Sequence, residues 1–187
     1  EQRPDGAPFA AYARDLGAAF DERLRDMGDV ANPNEPTSTS HFNVVDRDGN
    51  MVAVTQTLLS VFGSRLVLPA TGVLMNNGIF WFDPRPGTPN SIAPAKRPLT
   101  NMCPVVVRKQ GRNAFALGGS GGRKIFPAVL QLTSMLLDYG MSLQDAWHTP
   151  RIDASGGDAV GMDPRLAPEA RTALQTEFQV RETQLPV

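Results

Sequence analysis

The segment that opens the β-rich part of the chain reads Thr39-Ser40-His41-Phe42-Asn43-Val44-Val45-Asp46, then Arg47-Asp48-Gly49-Asn50 and Met51-Val52-Ala53-Val54-Thr55-Gln56-Thr57-Leu58. Residues 41–46 and 51–58 are rich in β-branched and aromatic side chains, which favour strands. The Asp-Gly and Gly-Asn pairs between them accept positive φ at little cost. The pattern therefore predicts an antiparallel hairpin with a tight turn over residues 47–50.

Further elements follow on both sides of this hairpin. Upstream, three- and four-residue spacing of apolar residues predicts a helix over 8–27, and two prolines in 31–38 indicate a linker. Downstream, the patterns predict short strands at 65–68 and 72–77, an irregular Pro-rich loop at 83–98, a second hairpin (105–109 and 113–117) around Gln110-Gly111, a helix over 123–139, a helix capped by Ser142, a helix over 164–178 and a strand over 179–185. This layout predicts an α+β fold with helices on one face of an antiparallel sheet.

Composition narrows the class of protein. The 187 residues carry 18 Lys and Arg against 19 Asp and Glu, so no basic excess suggests nucleic-acid binding. No apolar run approaches the roughly 18 residues of a membrane span. Cys103 is the single cysteine, and no Cys/His cluster predicts zinc or another metal; nothing predicts a cofactor. The polar start without Met predicts a fragment or a processed chain.

Thr39 is the first candidate for chemistry. A hydroxyl is a poor nucleophile without a base beside it, and no Ser-His-Asp arrangement is visible near this residue. The other possible base is the α-amine of Thr39 itself, which is free only if the preceding peptide bond is cut. The alternative is that residues 37–40 are only a hydroxyl-rich linker end.

The second candidate is Gly118-Gly119-Ser120-Gly121-Gly122, which precedes a predicted helix. Backbone N–H groups in such a loop suit an anion or a developing oxyanion. The loop lacks the Lys-Ser/Thr of a phosphate-binding loop and the spacing of a dinucleotide fingerprint. A tight strand-to-helix turn without chemistry is the alternative.

Together these segments resemble the small subunit of γ-glutamyltransferases (γ-glutamyltranspeptidases). The resemblance starts at Thr39 and continues in that family's order to about Asp153, while residues 1–38 correspond to the tail of the large subunit. The matching segments are 39–46, 48–50, 52–57, 62–63, 72–77, 94–99, 102–104, 121–122, 138–140 and 149–151.

The resemblance implies an N-terminal-nucleophile hydrolase, an αββα sandwich of which this chain is only part. It implies autoproteolysis between Ser38 and Thr39, so that residues 39–187 form a small-subunit-like catalytic region and the large-subunit region of the same precursor is the partner. The implied catalytic residues are Thr39 as nucleophile, Thr57 as its support, and Gly121 and Gly122 as the oxyanion hole.

The candidate substrate-binding residues are Asn77, Thr100 and Asn101, and the implied substrate is a γ-glutamyl or related amide. The family resemblance implies a periplasmic or extracellular location, and the sequence leaves the cytoplasm open. Because the implied partner subunit supplies much of one sheet, the chain alone is expected to be inactive and to self-associate.

Several positions depart from the glutathione-using members of the family. Those members commonly have Asn where this chain has Leu59, Gln at Gly78 and an acidic residue at Trp81, and a Ser pair at Thr100-Asn101. The glutamyl ammonium would therefore lack its ion-pair partner. This leaves two alternatives open: an acylase-type relative that acts on a different amide, and a non-catalytic homologue or inert fragment.

Overall fold

The computed structural model describes residues 38–155 and 159–183. These divide into two compact units: Ser38 with residues 58–100 belongs to one, and residues 39–57 with 101–183 belong to the other. The helix predicted over 8–27 and nearly all of the predicted linker lie outside the described residues. The predicted division into large-subunit and small-subunit regions stays a prediction.

The first hairpin forms as the sequence predicts. Strand β1 (Ser40–Val45) pairs antiparallel with β2 (Met51–Gln56), in a register that sets Ser40 opposite Gln56 and Val45 opposite Met51. In the turn, the Asp46 carboxylate accepts hydrogen bonds from the backbone N–H groups of Asp48 and Asn50, each at 2.9 Å. The Asn50 side-chain amide donates to the same carboxylate, and these bonds lower the pKa of Asp46.

The second hairpin also forms. Strand β3 (Val105–Lys109) pairs antiparallel with β4 (Arg112–Leu117), with a bulge between Val107 and Arg108. Gln110 and Gly111 both have positive φ, 52° and 78°, which is typical of a two-residue turn matched to the twist of its strands. The predicted turn residues are confirmed.

Two helices follow the second hairpin. A 3₁₀ turn (Gly122–Lys124) leads into helix α1 (Ile125–Leu137), which is shorter than the predicted 123–139 because its first turn has the tighter geometry. Helix α2 (Leu143–His148) begins at Ser142, whose hydroxyl accepts from the Asp145 N–H at 3.1 Å, so the predicted cap is confirmed. The buried apolar core among the described residues is Val107, Ile125, Val129, Leu132, Ala146 and Met162.

A three-stranded sheet closes the described part of this unit. Strand β6 (Val160–Met162) pairs antiparallel with β5 (Ile152–Asp153) and parallel with β7 (Val180–Glu182); helix α3 (Pro168–Glu177) connects the last two strands. The sequence predicts β7 but not β5 or β6, because two or three residues are too few to carry an alternating pattern. Helix α3 begins later than the predicted residue 164, since the Asp163 carboxylate holds Arg165 in a turn.

The unit that contains residues 58–100 consists mostly of loops. A 3₁₀ turn covers Gly78–Trp81, and the predicted Pro-rich loop over 83–98 contains one isolated bridge, between Asp83 and Ser91. The segments predicted as strands at 65–68 and 72–77 pair with each other but form no regular strands: they share the isolated bridge Val67–Leu74, and Leu68 N–H and Met75 N–H donate to the carbonyls of Val73 and Leu66. The turn between them is closed by the N–H of Gly72, which donates to the carbonyl of Leu68 at 2.8 Å.

Candidate active site

Thr39 and Thr57 meet at the open end of the first hairpin. The register Ser40 to Gln56 continues by one residue, so that Thr39 before β1 lies opposite Thr57 after β2. The hydroxyl of Thr39 donates a hydrogen bond to Oγ1 of Thr57, at 3.0 Å, and both side chains are half-buried. The bond holds the Thr39 side chain in one rotamer and so fixes the direction in which its hydroxyl oxygen points.

The residue before Thr39 is also held. The Oγ atom of Ser38 accepts a hydrogen bond from the backbone N–H of Leu58, at 3.1 Å. The Ser38–Thr39 peptide bond thus has an ordered side-chain hydrogen bond on each side. Residues 38 and 39 are therefore both ordered by side-chain hydrogen bonds.

The glycine loop follows β4 directly. Gly121 and Gly122 have φ of 140° and 60°, conformations that side chains rarely adopt, so the loop requires glycine at both positions. Within residues 38–155 and 159–183, no acceptor is bonded to the N–H of either glycine. Unpaired N–H groups at a strand-to-helix turn are what an oxyanion hole needs. Their role in catalysis stays a prediction.

Of the predicted substrate-binding residues, Asn101 lies beside this loop. The Asn101 side-chain nitrogen is 3.9 Å from the point where a β-carbon on Gly122 would lie. Asn101 is half-buried and belongs to the same unit as Thr39 and Thr57. Its amide can therefore donate to a group bound next to the loop.

Asn77 and Thr100 belong to the other unit, and Thr100 is its last residue. Asn77 is buried, its Nδ2 donates to Ser60 Oγ at 2.9 Å, and its Oδ1 accepts from Ser60 N–H at 3.1 Å. Its amide thus holds the loop after Thr57 in place, and contact with a substrate stays a prediction for both residues.

The departures at Leu59, Gly78 and Trp81 lie in the unit that contains residues 58–100, and those at Gly78 and Trp81 are coupled. A β-carbon on Gly78 would lie 3.1 Å from the Trp81 ring, so a larger residue at 78 would need that ring to move. Leu59 has φ of 72°, a conformation in which Asn is better tolerated than Leu. The backbone is thus compatible with Asn at this position, although the chain has Leu.

One arrangement of polar side chains was not predicted from the sequence. His41 lies between Thr55 Oγ1, 2.8 Å from its Nδ1, and Asn43 Oδ1, 2.9 Å from its Nε2. Asn43 is two residues along the same strand face, and Thr55 is the cross-strand partner of His41. The predicted hairpin could have revealed this network, because its register sets His41 opposite Thr55 and on the same strand face as Asn43.

Ionisable groups elsewhere take part in local turns. The Arg85 guanidinium beside Asp83 lowers the pKa of that carboxyl to about 2, and Arg165 likewise holds the pKa of Asp163 below its usual range. Among the described residues there is no group of three His, Cys, Asp or Glu side chains that could hold a metal ion. None of the helices in that part of the chain has the length and apolar character of a membrane span.

Comparison with known proteins defines the class. The chain superimposes on a mutant γ-glutamyltranspeptidase of Helicobacter pylori with a TM-score of 0.64 and 29% identity, covering 77% of this chain and 84% of that one. It therefore has the α+β fold of the N-terminal-nucleophile hydrolases, of which it represents part. The family model for gamma-glutamyltranspeptidase matches residues 10–185. The chain belongs to the γ-glutamyltranspeptidase family.

Similar curated proteins include both an acylase and a glutathione hydrolase. An "Acylase ACY 1 proenzyme" of Pseudomonas sp. (strain SE83) is 42% identical over 148 residues, covering 79% of this chain and 26% of the relative. A "Glutathione hydrolase proenzyme" of Escherichia coli (strain K12) is 40% identical over 158 residues, covering 79% of this chain and 27% of the relative. The chain thus spans about a quarter of the length of these proenzymes.

Proposed function

We propose that the protein to which this chain belongs is an autoprocessed amidohydrolase and acyltransferase of the γ-glutamyltransferase type, with Thr39 as nucleophile. The observation that carries the proposal is the hydrogen bond from the Thr39 hydroxyl to Thr57 at the junction after Ser38. The proenzyme names of the relatives support processing of a longer precursor. The large-subunit region of that precursor is the proposed partner.

Processing is the first step of the mechanism. Thr39 Oγ1 attacks the carbonyl carbon of Ser38 and gives up its proton, the bond from that carbon to the Thr39 nitrogen breaks, and the nitrogen takes up the proton to become an amine. Water then hydrolyses the resulting ester, which releases the Ser38 carboxylate and restores the Thr39 hydroxyl. The product is a threonine whose own amine is available as a base.

Turnover uses the same hydroxyl. The Thr39 amine accepts the proton from Oγ1 while the oxygen attacks the substrate amide, and the N–H groups of Gly121 and Gly122 stabilise the oxyanion. The leaving amine takes the proton from the Thr39 ammonium, and an acyl ester remains on Thr39. Water or a second amine resolves that ester, which gives hydrolysis or transfer.

The substrate is the point on which two candidates differ. The family resemblance favours a γ-glutamyl amide, bound with the help of Asn77, Thr100 and Asn101. The apolar Leu59 and Trp81 favour instead an acyl group that has the carboxylate but no α-ammonium, since a buried ammonium without a partner is costly. The 42% identity to an acylase proenzyme supports this second candidate.

The test uses the full-length precursor and three variants. Thr39→Ala is expected to abolish both processing and turnover, and Thr39→Ser is expected to retain part of each because a hydroxyl remains. Cys103→Ala is the control, since Cys103 is half-buried and has no assigned role. Processing is measured by intact mass, and turnover with a γ-glutamyl anilide and the same anilide without its α-amino group. Full activity of Thr39→Ala would refute the proposal.

A further inference from the structure

The His41 ring lies directly against the first residue of the glycine loop. A β-carbon on Gly118 would overlap that ring, at 2.6 Å from Nε2 and closer still to Cε1 and Nδ1. The three atoms nearest to that point all belong to His41. Gly118 has negative φ, so its backbone could accept a side chain, and the ring is what excludes one.

The ring cannot turn aside without losing hydrogen bonds at both of its nitrogens. Nδ1 is bonded to Thr55 Oγ1 at 2.8 Å and Nε2 to Asn43 Oδ1 at 2.9 Å. The bonds lie at opposite sides of the imidazole, and Thr55 is a β-branched residue with few rotamers. The plane of the ring is therefore fixed by the hairpin that carries Thr39.

The same two bonds direct the His41 ring nitrogens to groups other than the Thr39 hydroxyl. Each ring nitrogen already has a hydrogen-bond partner, and neither partner is Thr39. Thr39 itself donates to Thr57. His41 thus contacts the glycine loop and makes no hydrogen bond to the Thr39 hydroxyl.

We propose that His41 is a positioning residue that sets the distance between the nucleophile strand and the glycine loop. This inference rests on the proposed function, which assigns the oxyanion to Gly121 and Gly122. Because Gly118 begins the loop and touches the ring, a shift of Gly118 moves the N–H groups that follow it. The nearest ring atom is 2.1 Å from the β-carbon position, so an ordinary contact of about 3.4 Å would require a shift of about 1.3 Å. A misplacement of about 1 Å can already cost about 100-fold in rate.

The chain offers a matched control for this contact. Gly119 is the next residue, also has negative φ, and a β-carbon there would meet nothing within 4 Å. In the full-length enzyme, Gly118→Ala is expected to lower kcat about 100-fold with KM changed less than threefold. Gly119→Ala is expected to change both less than threefold.

Removing the ring should relieve the overlap. The double variant His41→Ala with Gly118→Ala is expected to recover kcat at least tenfold over Gly118→Ala alone. A Gly118→Ala enzyme that behaves like Gly119→Ala, or a double variant no better than Gly118→Ala, would overturn the inference. If Gly118→Ala does not fold, His41→Gln is expected to lower kcat per titrated active site about tenfold at unchanged KM, and an unchanged kcat would overturn it.

The same variants are also compared by Tm, which reports on the contact without turnover. Gly118→Ala should melt lower than Gly119→Ala, and the added His41→Ala should raise Tm again. If the wild type is inactive and uncut, the proposed function is contradicted, but the Tm comparison still tests whether the His41 ring packs against Gly118. Equal Tm values for Gly118→Ala and Gly119→Ala would contradict the contact even in an active enzyme.

Discussion

Replacing Thr57 by Val removes the acceptor of the Thr39 hydroxyl while keeping the shape of the side chain. The lost bond is 3.0 Å long and half-buried, and such a neutral hydrogen bond contributes about 0.5–1.5 kcal/mol. If the bond holds the hydroxyl in its attacking rotamer, this energy is lost from the transition state of processing. A loss of about 1.4 kcal/mol is a factor of ten in rate.

The assay follows processing of full-length precursor over time, by denaturing gel and intact mass. Thr57→Val is expected to be processed about tenfold more slowly than wild type, whereas Thr57→Ser keeps the oxygen and should stay within about threefold. Circular dichroism confirms that both variants are folded. Processing of Thr57→Val at the wild-type rate would refute the assignment of Thr57 as the support of the nucleophile.

Three further predictions concern substrate, pH and surface. Glutathione should be a poor substrate of the full-length enzyme, with kcat/KM below about 10⁴ M⁻¹s⁻¹. The double variant Trp81→Asp with Leu59→Asn should raise that value. An unchanged kcat/KM in the double variant would contradict the substrate argument. Because the pKa of Asp163 is lower in the folded than in the unfolded chain, its charged form stabilises the fold at a pH above the ordinary carboxyl pKa. This stability is lost as the pH falls below about 4. Asp163→Asn should therefore flatten the fall of Tm between about pH 4 and pH 2, and an unchanged slope would count against the Asp163–Arg165 pair. Val44 and Val52 form a cross-strand pair and are each 52% exposed, so the 187-residue chain should self-associate in light scattering and the double Lys variant should do so less; a monodisperse wild-type monomer would contradict this.

Both hairpins were predictable because their signals are local. Asp48-Gly49-Asn50 and Gln110-Gly111 define the turns, and the apolar segments on either side fix the strands. The Ser142 cap is equally local, since its hydroxyl reaches an N–H three residues away. Strands β5 and β6 were not predictable, because two or three residues are too few to show an alternating pattern.

In the candidate site, too, some residues were predictable from the sequence and others depended on contacts distant in sequence. The sequence and its resemblance to a family indicated Thr39 and Thr57, and the register of the hairpin places their hydroxyls within hydrogen-bond distance. The role of His41 was not predictable, since it depends on a contact with Gly118, far along the chain. Gly118 is required because a side chain there would overlap the His41 ring, and local composition does not indicate this.

The most direct test of the account is the mass of the full-length gene product after purification and incubation. Two polypeptides are expected, the smaller of which begins with Thr39 and carries a free α-amine. A single uncut polypeptide is expected for Thr39→Ala under the same conditions. An intact Ser38–Thr39 bond in folded wild-type protein, or cleavage at that bond in Thr39→Ala, would contradict the central claim that Thr39 is a self-generated N-terminal nucleophile.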